Sequence, residues 1–435
     1  MLIFELALIS IVLAIVTWKF AKFDLLLRLI IAGQTLYILF GLVFRPLVLL
    51  IVHPTPSYGD SLADIRLFGA SGSYSTSLTN ILRISLLGVI SYFIVLYLLL
   101  NRKTQPVSYK RAVEDYKANY SIAFLSILFL AALSQYLVHQ GSNFRPLIWV
   151  SDLGLPALGA IVFAQTNEKN RSKRLMYLSL VGAASIYFSL ITKAKAPVFF
   201  AILIFFFYII STSVKGHKSV RFIGFSLASI PVIFLIFNKL QAYKQSTYVN
   251  SVESAVSKKY FESIGNVYEL LKRMDWLRAL SDAYTAGPHA WYTFPQYLYN
   301  AATSILWNYG TSTPVFGQEW GINLLGSNSG SQATALSVNY VAEGWVLSGY
   351  VGVVFVAILM AFLTYLVLRL GQLGIYGMFF CLTIIASNTL FENGATQLIE
   401  TISQATKETL IFAMLFLPFQ TLSPSRQRSL QTKKL

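Results

Sequence analysis

The residues best suited to chemistry in this chain are a few charged side chains at the edges of long apolar runs. Asp275, Arg278 and Asp282 follow one another at i, i+3 and i, i+4 spacing, so on a helix they share one face. That pattern fits a surface ion-pair ladder. It equally fits a site in which Arg278, with Arg273 in reserve, holds a diphosphate while a nearby carboxylate takes a proton from a hydroxyl. A guanidinium suits the first task because its planar fork binds phosphate at two points and stays charged.

Further candidates lie at the ends of apolar runs. Lys193 and Lys195 occupy the short hairpin Thr192-Lys193-Ala194-Lys195-Ala196-Pro197. They read as a phosphate clamp or as lysines whose stems lie in lipid while their ammonium groups reach water. Arg45 and Arg145 each precede a proline; each could meet substrate phosphate or cap a local helix end. His289, in Gly287-Pro288-His289-Ala290-Trp291-Tyr292, titrates near neutral pH and could serve as a general base. His53 and His139 sit nearer run ends and are weaker candidates. Glu343, in Tyr340-Val341-Ala342-Glu343-Gly344-Trp345, enters an apolar run and needs a partner, as a structural acceptor or as a base. Trp291, Tyr292 and Trp307, within an aromatic series from Tyr284 to Tyr309, could stack on sugar rings or sit at a membrane interface.

The elements that position these residues are set by composition. Of 435 residues, 55% are hydrophobic and only 12% charged, and the mean hydropathy is +0.60. A soluble domain is about a quarter charged. Crossing the hydrocarbon takes roughly 20 mostly apolar residues. Such runs occur near 2–17, 26–51, 80–100, 120–139, 148–165, 175–192, 197–213, 221–238, 345–369, 375–392 and 408–421. The expected fold is therefore an all-α polytopic membrane protein with about eleven spans, and ten to twelve are possible. The first run lacks a basic leader and a cleavage site, so it reads as a retained helix.

The net charge of +16 invites a nucleic-acid reading, but its placement removes that reading. Basic residues remain on the cytoplasmic side. With alternating spans, 20 of the 34 basic residues fall on one side, in 18–28, 101–119, 166–174, 214–221, Arg369 and the tail 422–435, against four acids. That side carries the whole +16, and the other side is neutral. The N-terminus is then outside and the C-terminus cytoplasmic.

The domain plan is eight spans over 1–238 with a Ser/Gly-rich outer loop at 52–79, a large outer loop at 239–344, three spans over 345–421, and the basic tail. The large loop opens with an N-cap signal, Asn250 to Glu253. Val256, Tyr260, Ile264, Val267, Leu271 and Met274 then recur at helical spacing. The single Cys381 lies in an apolar run and reads as a packed hydrophobe. There is no phosphate-binding glycine loop, no HExxH, no Cys/His cluster and no Asp-x-Asp pair, so neither metal nor cofactor is expected.

The stretch Ser327–Ala357, SNSGSQATALSVNYVAEGWVLSGYVGVVFVA, resembles the late segment of the oligosaccharide repeat-unit (O-antigen, Wzy-type) polymerases. There a Gly/Ser-rich outer loop passes through an acid, here Glu343, into a Gly-x-x-Gly helix start, here Gly349 and Gly352. The TKAKAP hairpin and the late large loop also match that layout. Two features depart from it: lysines replace the arginines more usual in the hairpin, and Leu347-Ser348-Gly349 stands at the helix entry.

The resemblance implies glycan transfer on the outer face of a bacterial inner membrane. A chain on undecaprenyl diphosphate would be the donor and a lipid-linked repeat unit the acceptor, with a chain-length regulator as a possible partner. His289, Asp275, Asp282 or Glu343 would be the base. Two rivals remain open. A ligase moving the glycan to a lipid A core would depend on one loop histidine. A flippase or other transporter would show inverted repeats and mid-membrane charges, and no repeat is visible.

Overall fold

A computed structural model describes residues 2–23, 25–47, 76–101, 116–118, 120–141, 144–164, 171–192, scattered positions in 197–205, 276–288, 293–305, 339–387, 390 and 393–422. The expected span 221–238 and most of the loop regions 52–79 and 239–344 lie outside the described residues. What is described is almost entirely helical. The helices are α1 (Leu2–Phe20), α2 (Leu25–Leu39, continued by a π-helical turn at Phe40–Phe44), α3 (Thr76–Asn101), α4 (Tyr120–His139), α5 (Arg145–Ala164) and α6 (Arg171–Thr192). They continue with α7 (Trp276–Ala286), α8 (Phe294–Ile305), α9 (Tyr340–Gly371), α10 (Ile375–Ala386) and α11 (Ala395–Phe416). Two three-residue strands, β1 (Tyr116–Ala118) and β2 (Gln420–Leu422), pair antiparallel with Lys117 opposite Thr421.

Six helical stretches are long and apolar enough to cross a membrane, at 2–20, 30–47, 78–101, 120–139, 175–192 and 340–371; two shorter apolar stretches lie at 150–163 and 375–386. Their surfaces say what surrounds them. The outward face of α1 carries Ile3 (74% exposed), Phe4 (67%), Ile11 and Ile15, and its inward face carries Leu6, Ile9, Leu13 and Val16. A helix apolar all round has no face to give to water. The chain is a multi-pass membrane protein.

The described residues group into two compact units, with boundaries inside α9 and α11. In the first, α1 packs against α2 and α3, and α7 packs against α3 and the π-helical turn. Glu5 meets Arg83, while Phe20 meets Phe93 and Tyr97, so α1 and α3 run parallel. In the second, α4, α5 and α6 form a helical group with α10 against α5. Gly141, at φ 94°, reverses the chain after α4, and Pro146 sits in the first turn of α5, where a missing N–H costs nothing. Gly154 lets α5 approach Ala131, and Gly159 lets it approach Leu382 of α10. Phe412 stacks on Phe379 and on Phe416, and Tyr120 stacks on Phe416.

The sequence leads one to expect a single span at 345–369. Instead α9 is two helices joined by a reversal. Helical geometry stops at Ser348 (φ −162°, ψ 35°) and Gly349 (φ 58°, ψ −136°), then resumes. The left-handed φ at Gly349 is one that glycine adopts without strain. In a continuous helix Gly344 and Val353 would lie about 13 Å apart along the axis. Here a Cβ on Gly344 would sit 2.6 Å from both Gly352 O and Val353 Cα. The segment 340–347 is thus folded back on the start of the long helix, and Val341 and Val353 both close over Gly88 of α3.

The last helix also differs from expectation: it runs Ala395–Phe416 and ends in a 3₁₀ turn at Leu417–Phe419, rather than spanning 408–421. Its polar first half does not register as an apolar run.

The reversal makes a stability prediction. Gly344→Ala forces a methyl into backbone and should cost about 1–3 kcal/mol. Gly182→Ala on α6, where a Cβ meets nothing within 4 Å, should be neutral or stabilising by up to about 1 kcal/mol. Thermal unfolding of the two variants in one detergent, followed by circular dichroism, checks the contrast.

Candidate functional site

The first unit gathers most of the described polar residues that need an explanation. Asn339 begins α9. Its Oδ1 accepts the backbone N–H groups of Val341 (3.1 Å) and Ala342 (2.9 Å), as an N-cap side chain does. Its Nδ2 donates to the carbonyl of Trp276 (3.2 Å), the first residue of α7. The end of the large loop is thereby tied to the helix that carries Arg278 and Asp282.

Glu343, one turn on and 1% exposed, reaches the start of α11. It accepts the Ala395 N–H at 2.6 Å, the Thr396 N–H at 3.1 Å and the Thr396 hydroxyl at 2.8 Å. Two backbone donors that the helix cannot satisfy internally are met by a carboxylate, which the positive end of the helix dipole also favours. Tyr297 of α8 is buried beside it. Burial, and then the Glu343 charge, push the Tyr297 hydroxyl well above its ordinary pKa, so it stays a neutral phenol.

A second buried chain of bonds links the same elements. Gln34 on α2 donates to the Leu390 carbonyl (2.9 Å). The Tyr92 hydroxyl on α3 donates to Gln34 Oε1 (2.9 Å) and lies 3.1 Å from Thr364 Oγ1 of α9. Around it Trp276 packs edge-on to Tyr37 and Tyr340, and Tyr340 packs on Tyr92.

The residues nominated by the sequence are placed as follows. Asp282 lies on the inner face of α7 and is buried. Arg278 belongs to the same helix, one turn earlier; its side chain is not among those described. Arg45 follows the π-helical turn directly and is 1% exposed. That turn packs against α7, the helix on which Asp282 is buried. Glu343 joins the unit, and its bonds are those of a helix cap. Arg145 starts α5 in the second unit. Lys193, Lys195, Arg273, Asp275, His289, Trp291, Tyr292 and Trp307 lie outside the described residues.

Of the aromatic series, Tyr284 stacks on Trp345 and accepts a bond from Asn80 Nδ2 (3.0 Å), while Phe294 and Tyr297 pack on Phe355. These rings are occupied by packing. Among the described residues no three His, Cys, Asp or Glu side chains converge as a metal site requires.

One feature that sequence reasoning passed over is the ion pair of Glu5 on α1 with Arg83 on α3, Nε to Oε1 at 2.8 Å. The signal was present: one acid and one base, alone in the early turns of two apolar runs. Comparison of the chain with protein-family models, with curated proteins and with solved structures gives no match.

The capping geometry predicts how Glu343 responds to substitution. Glu343→Ala leaves two buried N–H groups unmet and should lose about 2–4 kcal/mol. Glu343→Gln keeps one acceptor oxygen and should fall between. Melting temperatures of both variants in detergent check the order; a Glu343→Ala protein as stable as the unsubstituted chain would refute it.

Proposed function

We propose that the protein polymerises lipid-linked oligosaccharide repeat units. In this reading eleven spans set the N-terminus outside and the C-terminus in the cytoplasm of a bacterial inner membrane. A growing glycan on undecaprenyl diphosphate is passed to the next lipid-linked unit at the outer face. The acceptor's hydroxyl oxygen bonds to the anomeric carbon, the bond from that carbon to the diphosphate breaks, and the hydroxyl proton goes to a side-chain base.

One observation carries the reading. A fully buried arginine, Arg45, directly follows the π-helical turn that packs against α7, the helix of the late large loop that bears Arg278 and Asp282. Charges inside a membrane bundle are costly, and those that persist mark sites of function more often than of stability. Arginines gathered near a carboxylate are what a diphosphate leaving group needs, since fixed positive charge stabilises the departing anion without a metal. Asp282, or His289 from the neighbouring stretch, would take the proton. Holding two lipid-anchored substrates in register would supply much of the rate. The likeness of Ser327–Ala357 to the repeat-unit polymerases supports the same reading.

Deletion of the gene tests it. Surface glycan resolved by gel should collapse from a ladder to a single attached repeat unit. Loss of all glycan would point to a ligase or a flippase, and an unchanged ladder would remove the proposal. Arg278→Ala should abolish chain extension while the protein still inserts; a normal ladder from that variant would take Arg278 out of the site.

A further inference from the structure

We infer that Arg83, oriented by Glu5, is an additional ligand for the diphosphate of a polyprenyl-linked substrate. The inference rests on the polymerase reading for its substrate class and deepens that site.

Arg83 lies in the early turns of α3, within the span 78–101. Its Nε donates to Glu5 Oε1 at 2.8 Å, and it makes no other hydrogen bond to the described residues. The Glu5 side chain is 7% exposed and that of Arg83 is 45% exposed. The carboxylate therefore belongs to the inward face of α1, with Leu6 and Ile9, while the guanidinium opens outward. A salt bridge of this kind adds little stability: removing water from the acid costs about what the pairing returns. What the pair does achieve is orientation. Contact at Nε alone fixes the guanidinium plane and leaves the edge made by its two Nη groups unused. That edge is the one that grips a phosphate at two points.

The position agrees with the chemistry. From Leu78 to Ser85 the α3 side chains are buried or half-buried, with Arg83 the exposed member. Asn80, one turn before Arg83, donates to Tyr284 of α7, so the start of α3 is bonded to the helix that carries Arg278 and Asp282. With the N-terminus outside, α1 and α3 both enter from the outer face. Arg83 then lies about 8 Å inside the start of its span, within reach of the headgroups for a long side chain, on the side where topology does not call for a basic residue.

The test uses the full chain purified into neutral nanodiscs, with farnesyl diphosphate as probe and isothermal titration as readout. Arg83→Ala should weaken binding at least tenfold. Arg83→Lys should weaken it several-fold, because an ammonium keeps the charge and loses the fork. Arg83→Ala leaves Glu5 buried and unpaired and could unfold the protein, so the double variant Glu5→Ala/Arg83→Ala removes both charges. It should be folded and bind no better than Arg83→Ala alone.

A folded double variant that binds farnesyl diphosphate like the unsubstituted chain overturns the inference. So does equal competition by phosphatidylglycerol, which would make the ligand a bulk lipid headgroup. Arg83-dependent binding beside an unchanged glycan ladder on gene deletion would sink the polymerase reading and leave the diphosphate site standing. A ladder that collapses on deletion beside undiminished binding by the double variant would do the reverse.

Discussion

A helix that begins inside an apolar bundle leaves its first backbone N–H groups without intrahelical partners, and lipid offers none. In this chain α11 begins that way, and Glu343 supplies what it lacks. The carboxylate comes from a residue 52 positions earlier in sequence, so it has to be delivered. Delivery is what the folded-back start of α9 accomplishes. Segment 340–347 returns along the long helix, Gly344 rests on Gly352 and Val353, and the chain turns at Gly349. Asn339 locks the entrance of that segment to α7. One buried acid thus requires a reversal, three glycines and an asparagine, and the arrangement also fixes where the large loop's helix sits.

This also explains how Asp282 and Glu343 can be buried in the first unit. A polar group in hydrocarbon is tolerated when its partners are preformed. The bonded chain Leu390–Gln34–Tyr92–Thr364, the Asn339 cap and the Glu343 cap provide a polar lining already paid for by internal bonds. Within that setting Arg45 and Asp282 are buried on elements that touch. The second unit, by contrast, is held by aromatic stacking around Phe412 and by close glycine contacts of α5.

Much of the architecture was legible because apolar runs need no tertiary knowledge. The runs 2–17, 80–100, 120–139 and 175–192 correspond to α1, α3, α4 and α6 within a few residues. The misses have physical causes. Averaged hydropathy cannot see a single left-handed glycine, so the reversal in α9 was read as one span. It also discards Thr396, Gln397, Glu400 and Thr401, so the first half of α11 was not seen as helix. Glu343 stood out as an acid needing a partner, but backbone donors at Ala395 and Thr396 carry no signature in side-chain type. Glu5 and Arg83 each resembled an ordinary residue near a span end, and only the parallel packing of α1 and α3 makes them a pair.

Arg45 and Arg83, both in the first unit, therefore differ in kind. Arg45 is sealed, 1% exposed beside the π-helical turn, so any anion it meets must be enclosed by the bundle. Arg83 is open and held at one edge by Glu5, so it meets what approaches along the flank of α1 and α3. A polyprenyl diphosphate offers both situations, since its isoprenoid tail stays in lipid while its charged end has to leave it. In the proposed reading Arg83 would meet the charged headgroup at the bilayer edge and Arg45 would meet it inside the bundle. Each contact would replace hydration lost at the step before, which is how a site without a metal can lower the cost of bringing two negative phosphates into an apolar bundle.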